Sequence, residues 1–131
     1  MTMPKERVLG FGGFFFRSRD PHALAAWYES NLGVALTPDD YAQASWHQAA
    51  GSTVFQPFEQ DTGYFGNADK QWMINFRVPN LDAMVAQLRG NGIDVSVDQT
   101  QYPNGRFARL VDPEGNPVEL WEEKDSTQAS M

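Results

Sequence analysis

The chain has 131 residues, 41% of them hydrophobic and 13% aromatic, which suits one folded domain with a sizeable core and argues against a disordered chain. A net charge of −7 with no basic cluster argues against a phosphate-backbone partner. The absence of cysteine excludes disulfides, thiolate nucleophiles and thiolate metal sites.

In chain order, MTMPKERVLG carries charge and no apolar run of signal-peptide kind, and no stretch is long enough to span a membrane. A cytoplasmic protein without a membrane or nucleic-acid partner is expected. An apolar run, GGFFFR (12–17), precedes a helix signal. Asp20 can cap this helix and Pro21 suits its first turn, Leu24, Trp27, Tyr28 and Leu32 recur at helical spacing, and Gly33 is a stop. Strand candidates follow near 34–37, 43–49 and 53–58. Residues 59–71, EQDTGYFGNADKQ, are polar and contain glycine, as a linker or lid would. A second apolar strand, 72–78, leads to Asn80 as cap. Leu81, Met84, Val85 and Leu88 then form one helical face, which Gly90 or Gly92 ends. Further strand candidates lie near 93–97, 106–111 and 117–122, and residues 124–131 read as a frayed tail.

The two halves superimpose at an offset of sixty residues: Phe16-Arg17 on Phe76-Arg77, Asp20 on Asn80, Ala23 on Ala83 and Leu24 on Met84. A repeat of that length means two copies of one β-α-β-β-β unit, each unable to close a core alone. The expected fold is α+β, a single domain of two tandem modules at 8–58 and 72–122.

This tandem pattern, with DPEGNPVELWE at 112–122 closing the second copy, resembles the vicinal oxygen chelate superfamily of glyoxalases, bleomycin-resistance proteins and extradiol dioxygenases. The resemblance covers residues 8–122. It implies a cupped mixed sheet around a cavity, commonly a homodimer, and usually one divalent metal held by the first and last strand of each module. Carried over through the repeat, the four ligand positions fall on Gly13, Phe55, Met73 and Glu119. Only Glu119 offers a donor for a hard or borderline cation. Asn75 and Gln56 are weak oxygen donors. A relocated site would need His47 with Glu119, joined by Gln48 or Asn75. No cofactor is favoured on this reading, with a divalent metal left open.

Strand alternation sorts the remaining candidates. Glu119 and Trp121 share a face, as do Met73, Asn75 and Arg77. In 106–111, either Phe107 and Arg109 or Arg106 and Ala108 turn inward. The apolar helix side suits Ala108 and Leu110, which sends Arg109 toward Glu119. An acid in apolar surroundings needs a partner, so Glu119 is paired with Arg109, kept for a ligand, or simply a solvated acid at the strand end. His47 could serve as a general base if a substrate lies within reach. Trp46, Phe55, Met73, Phe107 and Trp121 would make apolar walls, with Asn75, Arg77 and Arg109 orienting the ligand. Tyr64 and Tyr102 lie in the two longest loops, where anchoring or closure over a cavity are both open. The expected function is metal-independent binding, or conversion, of a partly aromatic or apolar small molecule. Two alternatives stay open: a metal-dependent lyase or dioxygenase, and a drug-sequestering resistance protein, which the negative charge favours for a cationic drug.

Overall fold

The computed structural model describes residues 5–124. Six elements form in order: α1 (Pro21–Leu32), β1 (Ile74–Arg77), α2 (Leu81–Gly90), β2 (Ser96–Val97), β3 (Gly105–Val111) and β4 (Pro117–Glu123). The strands make one four-stranded mixed sheet in the order β1-β4-β3-β2. β4 runs parallel to β1 and antiparallel to β3, so it is the central strand of the site described below. No helix among the described residues is long and apolar enough to cross a membrane. The fold is α+β.

The repeat is visible in the helix starts. Asp20 Oδ1 accepts from the Ala23 backbone N–H at 3.1 Å, and sixty residues later Asn80 Oδ1 accepts from Ala83 at 3.0 Å. Each cap satisfies one of the amides that a helix start leaves without a partner. α1 ends on Gly33 at φ 71°, a left-handed stop that favours glycine. At the helix ends the repeat meets itself: Asn91 donates its side-chain amide to Asn31 Oδ1 at 3.0 Å, again across an offset of sixty. Gln87 adds a bond to the Asn31 carbonyl at 3.2 Å.

Both helices pack on one face of the sheet. Leu24 and Tyr28 from α1 join Leu81, Val85 and Leu88 from α2 against Ala108, Leu110, Val118 and Leu120. Each fully buried leucine or valine here contributes roughly 1.5–3 kcal/mol through removal of apolar surface from water. Alternation along β4 therefore commits Val118 and Leu120 to the helices and leaves Glu119 and Trp121 for the opposite face.

The second half forms its whole expected β-α-β-β-β set, with β2 shorter than the 93–97 candidate. In the first half only the helix forms. The segments 12–17, 34–37, 43–49 and 53–58 carry no strand pairing. Pro57 interrupts 53–58, Pro38 directly follows 34–37, and QASWHQA (43–49) has no β-branched residue, while Phe14–Phe16 and Thr53-Val54-Phe55 favour extended backbone but have no partner strand beside them. Their aromatic side chains pack on one another instead, Phe11 with Phe55 and Phe14 with Phe16 and Trp72. Beyond Lys124, the expected tail lies outside the described residues.

Candidate ligand site

The site is a polar row crossing the open face of the sheet. Register sets Asn75 of β1 and Arg109 of β3 on either side of Glu119. Glu119 is only 7% exposed. Its Oε1 accepts from the Asn75 side-chain amide at 2.8 Å, and its Oε2 accepts from the Tyr64 hydroxyl. Arg109 does face Glu119's side of the sheet, as alternation predicts, yet the expected ion pair does not form. Among the described residues the salt bridges are Arg19–Glu114 and Arg106–Asp82. The Arg109 guanidinium instead lies 4.4 Å from the centre of the Tyr64 ring and donates to the Tyr64 carbonyl. A tyrosine from the linker thus stands between cation and acid. Burial, the bond to Glu119 and its negative charge together push the Tyr64 hydroxyl up to about 12, with Arg109 opposing.

The next row along the same face is aromatic. Phe107 pairs with Trp121 in the β3–β4 ladder, and their rings stack with centroids 6.1 Å apart and planes 6° from parallel. Tyr102 meets Phe107 edge-on at 5.8 Å, and its hydroxyl donates to Asp98 at 2.8 Å. The Trp121 indole N–H donates to the Asn104 carbonyl at 2.8 Å, which fixes the ring. Tyr102 is therefore anchored in its own loop.

Several sequence candidates lie elsewhere. Arg77 shares the aromatic row but donates to the carbonyls of Ala49 and Ala50 at 2.6 and 3.2 Å, so it fastens the first half to β1. His47 is exposed, with its Nδ1 2.9 Å from the Ser45 carbonyl oxygen, and makes no hydrogen bond to Glu119. Trp46 is exposed, and Phe55 is 81% exposed and packed on Phe11. Met73 is half-buried immediately before β1. With the first-half strands unpaired, nothing carries His47, Trp46 or Phe55 onto the open face.

The residues present do not fit the divalent metal that the resemblance implies. Both oxygens of Glu119 are taken by neutral donors, and Asn75 turns its N–H toward the carboxylate. Gly13 has no side chain, and Phe55 and Met73 have no suitable donor. Among the described residues no group of three or more histidine, cysteine, aspartate or glutamate side chains could hold a metal.

The turn before β4 is a clasp. Asp112, 3% exposed, accepts four hydrogen bonds: from the Tyr28 hydroxyl and Asn116 side-chain amide, both at 2.7 Å, and from the backbone N–H groups of Glu114 and Asn116 at 2.8 and 3.0 Å. Glu114 accepts from Ser18 Oγ and the Arg19 N–H, both at 2.8 Å, and from the Asp20 N–H at 3.2 Å. Those bonds hold the Glu114 carboxyl below its ordinary range. Lys70 ties the linker to the same turn through Asn116 Oδ1 at 3.1 Å. DPEGN therefore binds α1, the linker and β4 together and places Glu119.

A β-α-β-β-β unit that closes on the DPEGN turn fits the glyoxalase-like pattern that the sequence resembles. The sequence profile of the family described as "Glyoxalase-like domain" matches residues 13–121, and the chain belongs to that family, within the vicinal oxygen chelate superfamily. A putative glyoxalase family protein from Bacillus anthracis is 23% identical over 79% of this chain and 84% of its own, with a TM-score of 0.52. TnmS3, an antibiotic binding protein from Streptomyces sp. CB03234, is 21% identical over 80% and 88%, with a TM-score of 0.51. A glyoxalase/bleomycin resistance protein from the same Streptomyces is 33% identical, but over only 37% of this chain and 42% of its own length, with a TM-score of 0.34. No curated protein matches significantly.

Tyr64, which the sequence places in a loop open to anchoring or closure, is the partner of Glu119 that the sequence did not assign. The available signal was an aromatic hydroxyl between glycines in the linker, which marked a lid without saying what it covers.

Proposed function

We propose that this chain binds a small, partly aromatic organic molecule on the open sheet face, without a metal, and that Glu119 is the polar group that orients it. One observation carries the reading. Glu119 is a buried carboxylate whose partners are a carboxamide and a phenol from a loop, beside a stacked aromatic pair. An acid retained only for stability is ordinarily paired with a cation held close, and here the cation stands off behind Tyr64. Phe107 and Trp121 supply an apolar wall, Asn75 and Arg109 a polar edge, as small-molecule sites commonly combine. The linker 59–71 acts as the lid between the two modules, 8–58 and 72–122.

A drug-sequestering role is the second reading, supported for a cationic drug by the net charge of −7 and by an antibiotic-binding protein of the same fold. We also assign a homodimeric, cytoplasmic state. The exposed apolar side chains of the first half, Val8, Leu9, Phe15 and Phe55 among them, support the dimer. Sedimentation velocity tests it.

The deciding experiment combines elemental analysis with thermal unfolding in chelator and in added nickel, zinc, manganese or iron(II), followed by a small-molecule thermal-shift screen on wild type and Glu119→Gln. A ligand of the native state raises the midpoint by mass action. Stoichiometric metal that raises the midpoint would replace this reading with a metal-dependent lyase or dioxygenase. Organic ligands whose shifts disappear in Glu119→Gln are the expected result.

A further inference from the structure

The linker holds its own tyrosine in the site, and the contacts of that tyrosine define the ligand that would replace it. Tyr64 donates its hydroxyl to Glu119, lies under the Arg109 guanidinium at 4.4 Å, and stacks on Phe58 with centroids 5.8 Å apart and planes 25° from parallel. These are three independent recognitions of one chemical group: an acceptor for a hydroxyl, a cation for a π face, and a flat apolar partner. Tyr64 is 40% exposed, so it is not locked in a core.

The segment is also built to leave. Its bonds from backbone to backbone are turns within itself: Thr62 to Glu59, Gly66 to Gly63, Asn67 to Phe65 and Lys70 to Asn67. Among the described residues it is fastened elsewhere through Arg109 and Glu119 at Tyr64, through Lys70 at the clasp, and by Tyr64 and Phe65 packing on the adjoining Phe58. Segments with few buried contacts and no ladder bonds open at low cost.

We infer that Tyr64 is an internal placeholder and that the site selects phenols, uncharged aromatic rings bearing a hydroxyl, which bind Glu119 and Arg109 when the linker swings away. This rests on the proposed binding function and narrows its ligand class. The net charge alone would favour a cation, but Arg109 over the ring position repels one at close range. An internal competitor lowers apparent affinity by the fraction of time the site is open, so removing it strengthens phenol binding.

The test is calorimetric titration of wild type, Tyr64→Ala and Tyr64→Ala/Glu119→Gln with p-cresol, toluene and benzylammonium. Tyr64→Ala is expected to bind p-cresol about tenfold or more tightly than wild type, and to prefer it about tenfold over toluene and benzylammonium. Adding Glu119→Gln should remove most of the preference over toluene. Unchanged p-cresol affinity in Tyr64→Ala overturns the inference, as does equal or better binding of benzylammonium. Should Tyr64→Ala not fold, Tyr64→Phe keeps the ring and removes only the hydroxyl. A several-fold gain for p-cresol supports the inference there, and no gain overturns it. If screened compounds bind in a Glu119-dependent way while p-cresol does not, the phenol class fails and the binding function stands. If no compound binds any variant, both fail.

Discussion

Replacing Asp112 by alanine tests whether the turn before β4 is a structural clasp. The carboxylate accepts four hydrogen bonds and is 3% exposed, so water cannot readily take its place. Truncation leaves the Tyr28 hydroxyl and the Asn116 side-chain amide buried without acceptors, at about 1–3 kcal/mol each. The Asn116 backbone N–H is also buried, whereas that of Glu114 is nearer solvent. Allowing for some relaxation, Asp112→Ala should cost about 3–5 kcal/mol, the sum over the neutral donors it strands. Asp112→Asn keeps the shape and an acceptor for both backbone amides. The Tyr28 hydroxyl can rotate to accept from the new amide, but the Asn116 side-chain N–H then faces a second donor, so the cost should fall only to about 1–3 kcal/mol. Urea unfolding at an unchanged m-value measures both. A cost below about 1 kcal/mol for Asp112→Ala would show that the network is dispensable and that something else seats β4.

Alkaline stability follows from two tyrosines. Tyr64 keeps its proton to about 12, and Tyr28 is raised further by burial and its bond to Asp112, while unfolded tyrosines ionise near 10. The folded chain then holds more protons than the unfolded one, so stability should fall as pH rises from about 10 through about 12. Urea midpoints at rising pH check this, and a flat profile counts against it. In Glu119→Gln the phenolate absorbance of Tyr64 should appear at lower pH, because the hydrogen bond to a carboxylate and its charge are both lost. Gly105→Ala, at φ 133°, would drive its methyl into the Glu122 carbonyl oxygen and within 2.9 Å of the Trp121 indole nitrogen. It should cost more than about 3 kcal/mol or abolish soluble expression. Gly115→Ala, at φ 82° with nothing nearer than the Lys70 side chain at 3.8 Å, should cost only about 1–2 kcal/mol in backbone strain. Equal costs would refute that distinction. Leu120→Ala, at the fully buried centre of β4, should cost about 2–5 kcal/mol by denaturation.

What the sequence determined by itself was local or periodic. Asp20 and Asn80 announce both helices because a capping side chain needs only the amides three residues on. The sixty-residue repeat led to the expectation of two copies of one unit, of which the two capped helices and the Asn31–Asn91 bond across the same offset are seen. Alternation sent Ala108 and Leu110 to the core and Arg109 to the face of Glu119, since a strand's period is two wherever it lies. Tertiary structure decided what period and propensity leave open. Whether 43–49 and 53–58 pair depends on a partner strand that their own residues do not specify, and with it whether His47 and Phe55 reach the site. Which group meets Glu119 was settled by a loop closing across 55 residues of chain. Spacing ranked Arg109 first because it is the cross-strand neighbour. Tyr64 took the contact because its ring fits between cation and acid, and a contact between a loop and a sheet leaves no periodic trace in sequence.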